Sequence, residues 1–231
     1  MLLPEKGHTI IRVSNLTEKS RERTSMMRKH VGIVIFKDIE VLDFCGPFEV
    51  FSTARLREEK RREEPSPFEV LLIAEKTETV VTSGGMKVIP DHSFETCPKL
   101  DILVVPGGWG TRAEIKNPVM LEWLKTRSSE VETLTTVCTG AMLLGFAGLL
   151  DNRHATTHWR SLDWMRDSFP SVTVEYDKHV VEDGSVITSA GISAGIDMAL
   201  KVVLRYYGEA VARATAKHME YPYPDSNARR I

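Results

Sequence analysis

Apolar positions in this chain come in short unbroken blocks, and between them the spacing changes to that of helices. Residues 31–36, Phe68–Ala74, residues 101–105 and Thr133–Val137 are runs rich in Val, Ile and Leu with almost no charge. Such runs suit strands buried on both faces rather than strands with one wet side. Gly46-Pro47 predicts the opening of a helix, with proline in the first turn and Phe48, Phe51 and Leu56 as its buried stripe. The dense charge alternation over residues 55–64 reads as the solvated end of that helix, stopped by Pro65-Ser66-Pro67. Residues 80–90 suggest short strands around a glycine turn. Asn117-Pro118 predicts a further helix start, with Met120, Leu121 and Leu124 facing inward. Ala141, Leu144, Gly145 and Gly148 continue at helical spacing after Val137, and residues 161–169 form one more helical stretch ended by Pro170. Residues 172–176, 179–182 and 186–189 read as strands, the last two joined by the turn dipeptide Asp183-Gly184. A long apolar helix runs from Gly191 to about Tyr207, and a final one covers residues 209–219. Tyr221-Pro222-Tyr223-Pro224 cannot be regular structure and is expected to lie extended on the surface.

Strands alternating with helices, most of the strands apolar throughout, predict an α/β domain with a mostly parallel central sheet covered by helices on both faces. With 231 residues the chain is long enough for one full core. Residues 1–29 differ from the rest. They are polar and rich in Arg, Lys, Ser and Thr, and read as a flexible or loosely docked extension. An amphipathic transit peptide is the alternative, against which Glu5, Glu18 and Glu22 count. The domain itself is assigned to residues 30–231.

A formal net charge of −2 gives no reason to expect nucleic acid or an anionic membrane surface as a partner. No apolar run is long enough to span a bilayer. Three cysteines in a chain this long do not make a disulfide framework, so a reducing, cytoplasmic compartment fits. The seven histidines show no ligand-pair spacing and no Cys-x-x-Cys occurs, so no metal and no cofactor is expected.

Three places carry candidate chemistry. Cys138 sits where a strand turns into a small-residue helix, a position where unpaired N–H groups and the helix dipole favour a thiolate. A small buried core cysteine is the alternative. Asp43, between Leu42 and Phe44, is either a helix cap or a functional carboxylate. Pro106-Gly107-Gly108-Trp109-Gly110 ends a strand with a glycine loop, which is either a plain tight turn or a surface of backbone N–H groups open to a ligand. In a parallel sheet ligands gather outside the carboxyl ends of the strands, and all three segments would meet there.

Five motifs occur in order: Leu42-Asp43-x-x-Gly46-Pro47, Val105-Pro106-Gly107-Gly108, Val137-Cys138-Thr139-Gly140, Ala155-Thr156-Thr157-His158-Trp159 and Gly191-Ile192-Ser193-Ala194-Gly195-Ile196-Asp197. Together they resemble the PfpI/ThiJ superfamily, whose fold is flavodoxin-like and related to glutamine amidotransferases. Within it the nearest resemblance is to the isocyanide hydratases, and the sensor domain of AraC-type regulators is similar nearly throughout. The resemblance implies Cys138 as nucleophile, Thr139 beside it in the site, and Asp43 as the carboxylate facing the sulfur. It implies Gly108 and the Thr139 amide as oxyanion donors, with Gly107 in the same loop, and places His158 near the cysteine as a packed, hydrogen-bonded side chain. It also implies a homodimer acting on a small molecule. Residues 1–29 depart from the pattern, and Cys45 stands where relatives often have a small residue or threonine.

The implied reaction adds water to an isocyanide. Sulfur attacks the terminal carbon to give a thioimidate, Asp43 supplies or relays the proton and then positions and deprotonates water, and an N-substituted formamide leaves. A glyoxalase or other hydrolase of the same superfamily is an alternative, although it usually has a glutamate in the region of Asp43. A stand-alone ligand-sensing domain is another; its regulator relatives need a DNA-binding helix pair, and no basic recognition helix is visible after Tyr221. A glutaminase needs a late Cys–His–Glu triad. His218-Met219-Glu220 has the spacing but falls in the last predicted helix.

Overall fold

The computed structural model describes residues 28–230; the expectations for residues 1–27 lie outside them. Seven strands form one sheet in the order β10-β11-β7-β6-β1-β2-β5. These are β1 (Lys29–Val34), β2 (Phe68–Ala74), β5 (His92–Ser93), β6 (Ile102–Val105), β7 (Thr133–Val137), β10 (Val180–Asp183) and β11 (Val186–Ser189). All neighbours run parallel except the β10–β11 hairpin at one edge. The Asp183-Gly184 turn joins that hairpin as expected. The residues 80–90 region forms the two-residue pair β3 (Val80–Val81) and β4 (Lys87–Val88), and β8 (His154–Ala155) pairs with β9 (Thr173–Val174). β6, β7 and β11 are buried along their whole length. That explains why their sequences alternate so little.

From β1 the chain crosses to β2 on one side of the sheet, and from β6 to β7 on the other. Right-handed crossovers in opposite directions put their helices on opposite faces. Accordingly α1 (Val41–Thr53) packs with α6 (Ala194–Tyr207) and α7 (Glu209–His218), while α3 (Pro118–Ser128) packs with α4 (Gly140–Phe146). The short helix α2 (Thr111–Glu114) lies against α4, and α5 (Leu162–Ser168) precedes β9. This is the mostly parallel α/β sandwich that the block pattern predicts, and the flavodoxin-like fold that the resemblance implies. The change of direction leaves a crevice between the carboxyl ends of β1 and β6. No helix among the described residues is long and apolar enough to cross a membrane.

Two helical expectations need correction. α1 starts at Val41 rather than at Gly46-Pro47, so Pro47 lies inside it and Asp43 falls in its first turn. A proline there withdraws one intrahelical hydrogen bond, the one Asp43's carbonyl would have accepted. The helix also stops at Thr53 instead of running through the charged stretch, where only residues 58–60 form a single 3-10 turn. Its end is closed by two arginines. Arg55 Nη1 donates to the Ser52 and Ala54 carbonyls at 2.9 and 2.7 Å, and Arg61 Nη1 donates to that of Thr53 at 2.7 Å. Guanidinium groups thereby take carbonyls that a further helical turn would have used. The buried stripe of α1 is Phe44, Val50 and Phe51; Phe48 and Leu56 are 36% and 39% exposed.

Asn117 accepts from the Val119 and Met120 amides at the start of α3, as its sequence predicted. The 221–224 segment has no regular structure. It lies partly against the core, with Tyr221 and Tyr223 packed on it.

Candidate active site

The three segments singled out at strand ends do converge. Asp43 comes from α1 after β1, Gly107 and Gly108 from the loop after β6, and Cys138 from the residue after β7. Backbone bonds lock the first two together. Glu40 N–H donates to Gly107 O at 3.0 Å, and Gly110 N–H donates to Asp38 O at 3.1 Å.

Asp43 is 0% exposed. It does not cap its helix; its Oδ2 accepts the Gly107 N–H at 3.0 Å, 64 residues away. Oδ1 is buried without a hydrogen-bond partner. Burial in apolar surroundings pushes the carboxyl up to about 8, against the lowering effect of the Gly107 N–H and the neighbouring Cys138 thiol. Near neutral pH the group therefore holds its proton, next to the Cys138 thiol.

Cys138 has φ +57°, a left-handed conformation unusual for a residue with a Cβ. The bend lets the chain leave the buried strand and turn at once into α4, with the side chain at the top of the sheet. Its N–H is shared between the Ser189 and Ala190 carbonyls, each at 3.2 Å, and its own carbonyl accepts the Thr157 hydroxyl at 2.8 Å. The residue is 6% exposed. The thiolate expected from the helix N-terminus is not what this environment favours. Burial, and next to it the Asp43 charge, raise the thiol well above its ordinary value; the Thr139 N–H on the sulfur only partly offsets this. Thiol and carboxyl thus form a neutral pair with two protons, poised against each other.

Thr139 stands between the glycine loop and α2. Its Oγ1 accepts the Gly108 N–H at 3.0 Å and lies 2.9 Å from Thr111 Oγ1. Gly107 and Gly108 were expected to present N–H groups to a developing anion. In this arrangement both N–H groups are already directed onto site side chains, Gly107 onto Asp43 and Gly108 onto Thr139. The approach is close enough to demand glycine. A Cβ on Gly107 would lie 2.5 Å from the Thr139 nitrogen and 3.0 Å from Asp43 Oδ2.

His158 is half-buried, and its Nδ1 accepts the Arg160 N–H at 3.3 Å. Burial, with Arg160 and Arg229 nearby, lowers its basicity, so the ring is neutral. Its ring and the sulfur both pack against Gly191: a Cβ there would sit 2.7 Å from both His158 Cδ2 and Cys138 Sγ. Thr111, Thr157 and Gly191 belong to this site and escaped the sequence reading. Thr157 and Gly191 lay inside quoted motifs, while nothing in the sequence marks Thr111. Cys45 is partly buried and Cys97 lies in the core, its Sγ donating to the Pro98 carbonyl at 3.4 Å. A separate cavity of about 320 Å³ opens over β1 and β2, lined by Phe36, Ala74, Glu75, Glu114 and Met120 among others, without Cys138 or Asp43.

The chain is 31% identical over 196 residues to an isonitrile hydratase of Pseudomonas putida, covering 84% of this chain and 79% of that one. It is 35% identical over 133 residues to the HTH-type transcriptional regulator CdhR of Pseudomonas aeruginosa, covering 58% of this chain and 39% of the regulator. Among solved structures, a ThiJ/PfpI family protein from Pseudomonas syringae superposes with a TM-score of 0.76 at 26% identity, covering 98% of this chain and 85% of its own. The sequence profile of the DJ-1/PfpI family matches residues 29–205, from the first strand through most of α6 and across every residue of the site just described. A cysteine elbow at the carboxyl edge of a parallel sheet, matched over that length, makes this chain a member of the DJ-1/PfpI family.

Proposed function

We propose that the protein hydrates isocyanides, using Cys138 as nucleophile and Asp43 as the proton carrier. One observation carries the reading: a fully buried carboxyl, fixed by the Gly107 N–H, stands beside the Cys138 thiol, and burial pushes it up to about 8. An isocyanide needs both partners at its terminal carbon. Sulfur bonds to that carbon while the thiol's proton passes by way of Asp43 to the same carbon, giving an S-bound thioformimidate. Asp43 then gives its proton to the nitrogen and takes one from water as the oxygen adds to that carbon. Collapse of the adduct expels sulfur, which regains its proton, and releases an N-substituted formamide. The net change is addition of one water.

Within this scheme Thr139 donates its N–H to the sulfur, stabilising negative charge as it appears there. Gly107 and Gly108 act by holding Asp43 and Thr139 in register, and His158 packs as a neutral wall. The likeness to the P. putida hydratase supports the same reading. A homodimer and a cytoplasmic location go with it. The likeness to a transcriptional regulator favours a second reading, a domain that binds a small molecule without turning it over. A glyoxalase or related hydrolase of the family is a third.

Purified protein incubated with an aryl isocyanide, an alkyl isocyanide, methylglyoxal and glutamine separates these. Formamide production that Cys138→Ala abolishes supports the hydratase. Turnover of methylglyoxal alone supports the glyoxalase, and ligand-induced thermal stabilisation without turnover supports the sensor.

A further inference from the structure

Residues 221–230 lie across the back of the cysteine elbow and touch both of its supports. The segment is anchored by pairing that resembles an added strand. His179 N–H donates to Asn227 O at 2.9 Å, and Arg229 N–H donates to Asp177 O at 2.8 Å. The Asn227 side chain both accepts from Val180 N–H and donates to Val180 O, at 2.9 and 2.7 Å. This seat carries two neighbouring arginines, Arg229 and Arg230, to two different supports of the elbow.

Arg229 is half-buried, and its guanidinium serves three acceptors on the segment beside the elbow. Nη2 donates to Thr156 Oγ1 at 2.6 Å and to Thr157 O at 3.2 Å, while Nε donates to Tyr176 O at 2.7 Å. Thr157 is the residue whose hydroxyl holds the Cys138 carbonyl at 2.8 Å. Arg230 reaches the other support. Its Nη2 pairs with Asp197 Oδ2 at 2.9 Å, and Tyr221 OH donates to Asp197 Oδ1 at 2.9 Å. Asp197 lies in the first turn of α6, just after the Gly191 loop that packs on the sulfur, with its Oδ2 2.8 Å from Nε2 of buried His179. The His179 carbonyl accepts the Ala190 N–H at 2.9 Å, and the Ala190 carbonyl accepts the Cys138 N–H.

We infer that Arg229 and Arg230 are positioning residues for Cys138: the C-terminal segment clamps the strained elbow, Arg229 through Thr157 and Arg230 through Asp197. A left-handed, non-glycine residue keeps its conformation only while its surroundings over-determine it. Here one hydrogen bond holds its carbonyl and a shared one its N–H, and each leads back within one or two residues to this segment. Neither arginine touches the reacting atoms.

The test rests on Cys138 being the nucleophile and uses the full chain. Arg229→Ala is expected to lower kcat for isocyanide hydration about tenfold or more while KM stays within about twofold, since small misplacements of a reacting group act on the chemical step. Thr157→Val should do the same, and the double variant should fall no further, because both act through one link. Arg229→Lys should restore only part of the loss, one ammonium being unable to serve three acceptors in a fork. In parallel, alkylation of Cys138 by iodoacetamide, followed on the 138-containing peptide, should shift its pH midpoint down by about half a unit or more as water reaches the released elbow. A wild-type protein without isocyanide turnover whose Cys138 alkylation still depends on Arg229 would overturn the hydratase reading and keep the clamp. If Arg229→Ala does not stay folded at the assay temperature, Arg229→Gln is read in its place. Folded Arg229 and Arg230 variants with wild-type kcat and an unmoved alkylation profile would overturn the clamp.

Discussion

Replacing Asp43 by asparagine should make the protein more stable, and increasingly so as pH rises. Burial pushes the native carboxyl up to about 8, against 3.8 for a freely exposed aspartate. Between those values the folded protein keeps a proton that the unfolded chain has released, so stability falls as pH rises. The contribution is fully present below 3.8 and lost as pH climbs through about 8. Each pH unit inside the window changes stability by about 1.4 kcal/mol, which makes roughly 4 kcal/mol between pH 5 and pH 8 from this one buried group. Asparagine keeps a carbonyl for the Gly107 N–H and has no proton to lose. Urea unfolding of wild type and Asp43→Asn at pH 5, 6, 7 and 8 isolates the effect, because other titrating groups are common to both. The stability gap should widen across the series in favour of the variant, while hydration activity is lost. The Cys138 thiol, relieved of a neighbouring negative charge, should also alkylate at lower pH. Two stability curves that stay parallel from pH 5 to pH 8 would refute the buried, protonated carboxyl.

Gly191→Ala should lower turnover at least about a hundredfold, because its Cβ would fall 2.7 Å from the sulfur; steady-state kinetics on folded protein reads this. Phe51→Ala should cost about 3–5 kcal/mol in a urea titration, since the ring is fully buried against Phe68 at 5.0 Å between centroids. Asn117→Ala, which removes the side-chain oxygen capping α3, should cost about 1 kcal/mol in the same assay and leave kcat unchanged.

Much of the fold was legible because its strands are buried on both faces and so stand out as unbroken apolar runs. Phe68–Ala74 and Thr133–Val137 form over the residues the pattern marks. α1 was misplaced because its punctuation is ambiguous. Proline is commonest in a first turn but here sits mid-helix, and the charged stretch that looks helical is drawn back by Arg55 and Arg61 to close the helix end. The candidate site residues were read from strand ends and motifs, yet their protonation was not. A helix N-terminus argues for a thiolate, and only the packing shows that burial and a facing carboxyl outweigh it. Thr111 and Arg229 had no local signal at all. Their contacts span 28 residues to Thr139 and 73 to Thr156, distances that periodicity cannot see.

The most direct test of the central claim is the mass of the protein during incubation with an isocyanide. Wild-type protein mixed with excess aryl isocyanide and quenched in acid before completion should carry one added isocyanide, located on the 138-containing peptide and absent in Cys138→Ala. Formamide formed at full rate with no mass on Cys138, or by the Cys138→Ala protein, would contradict it.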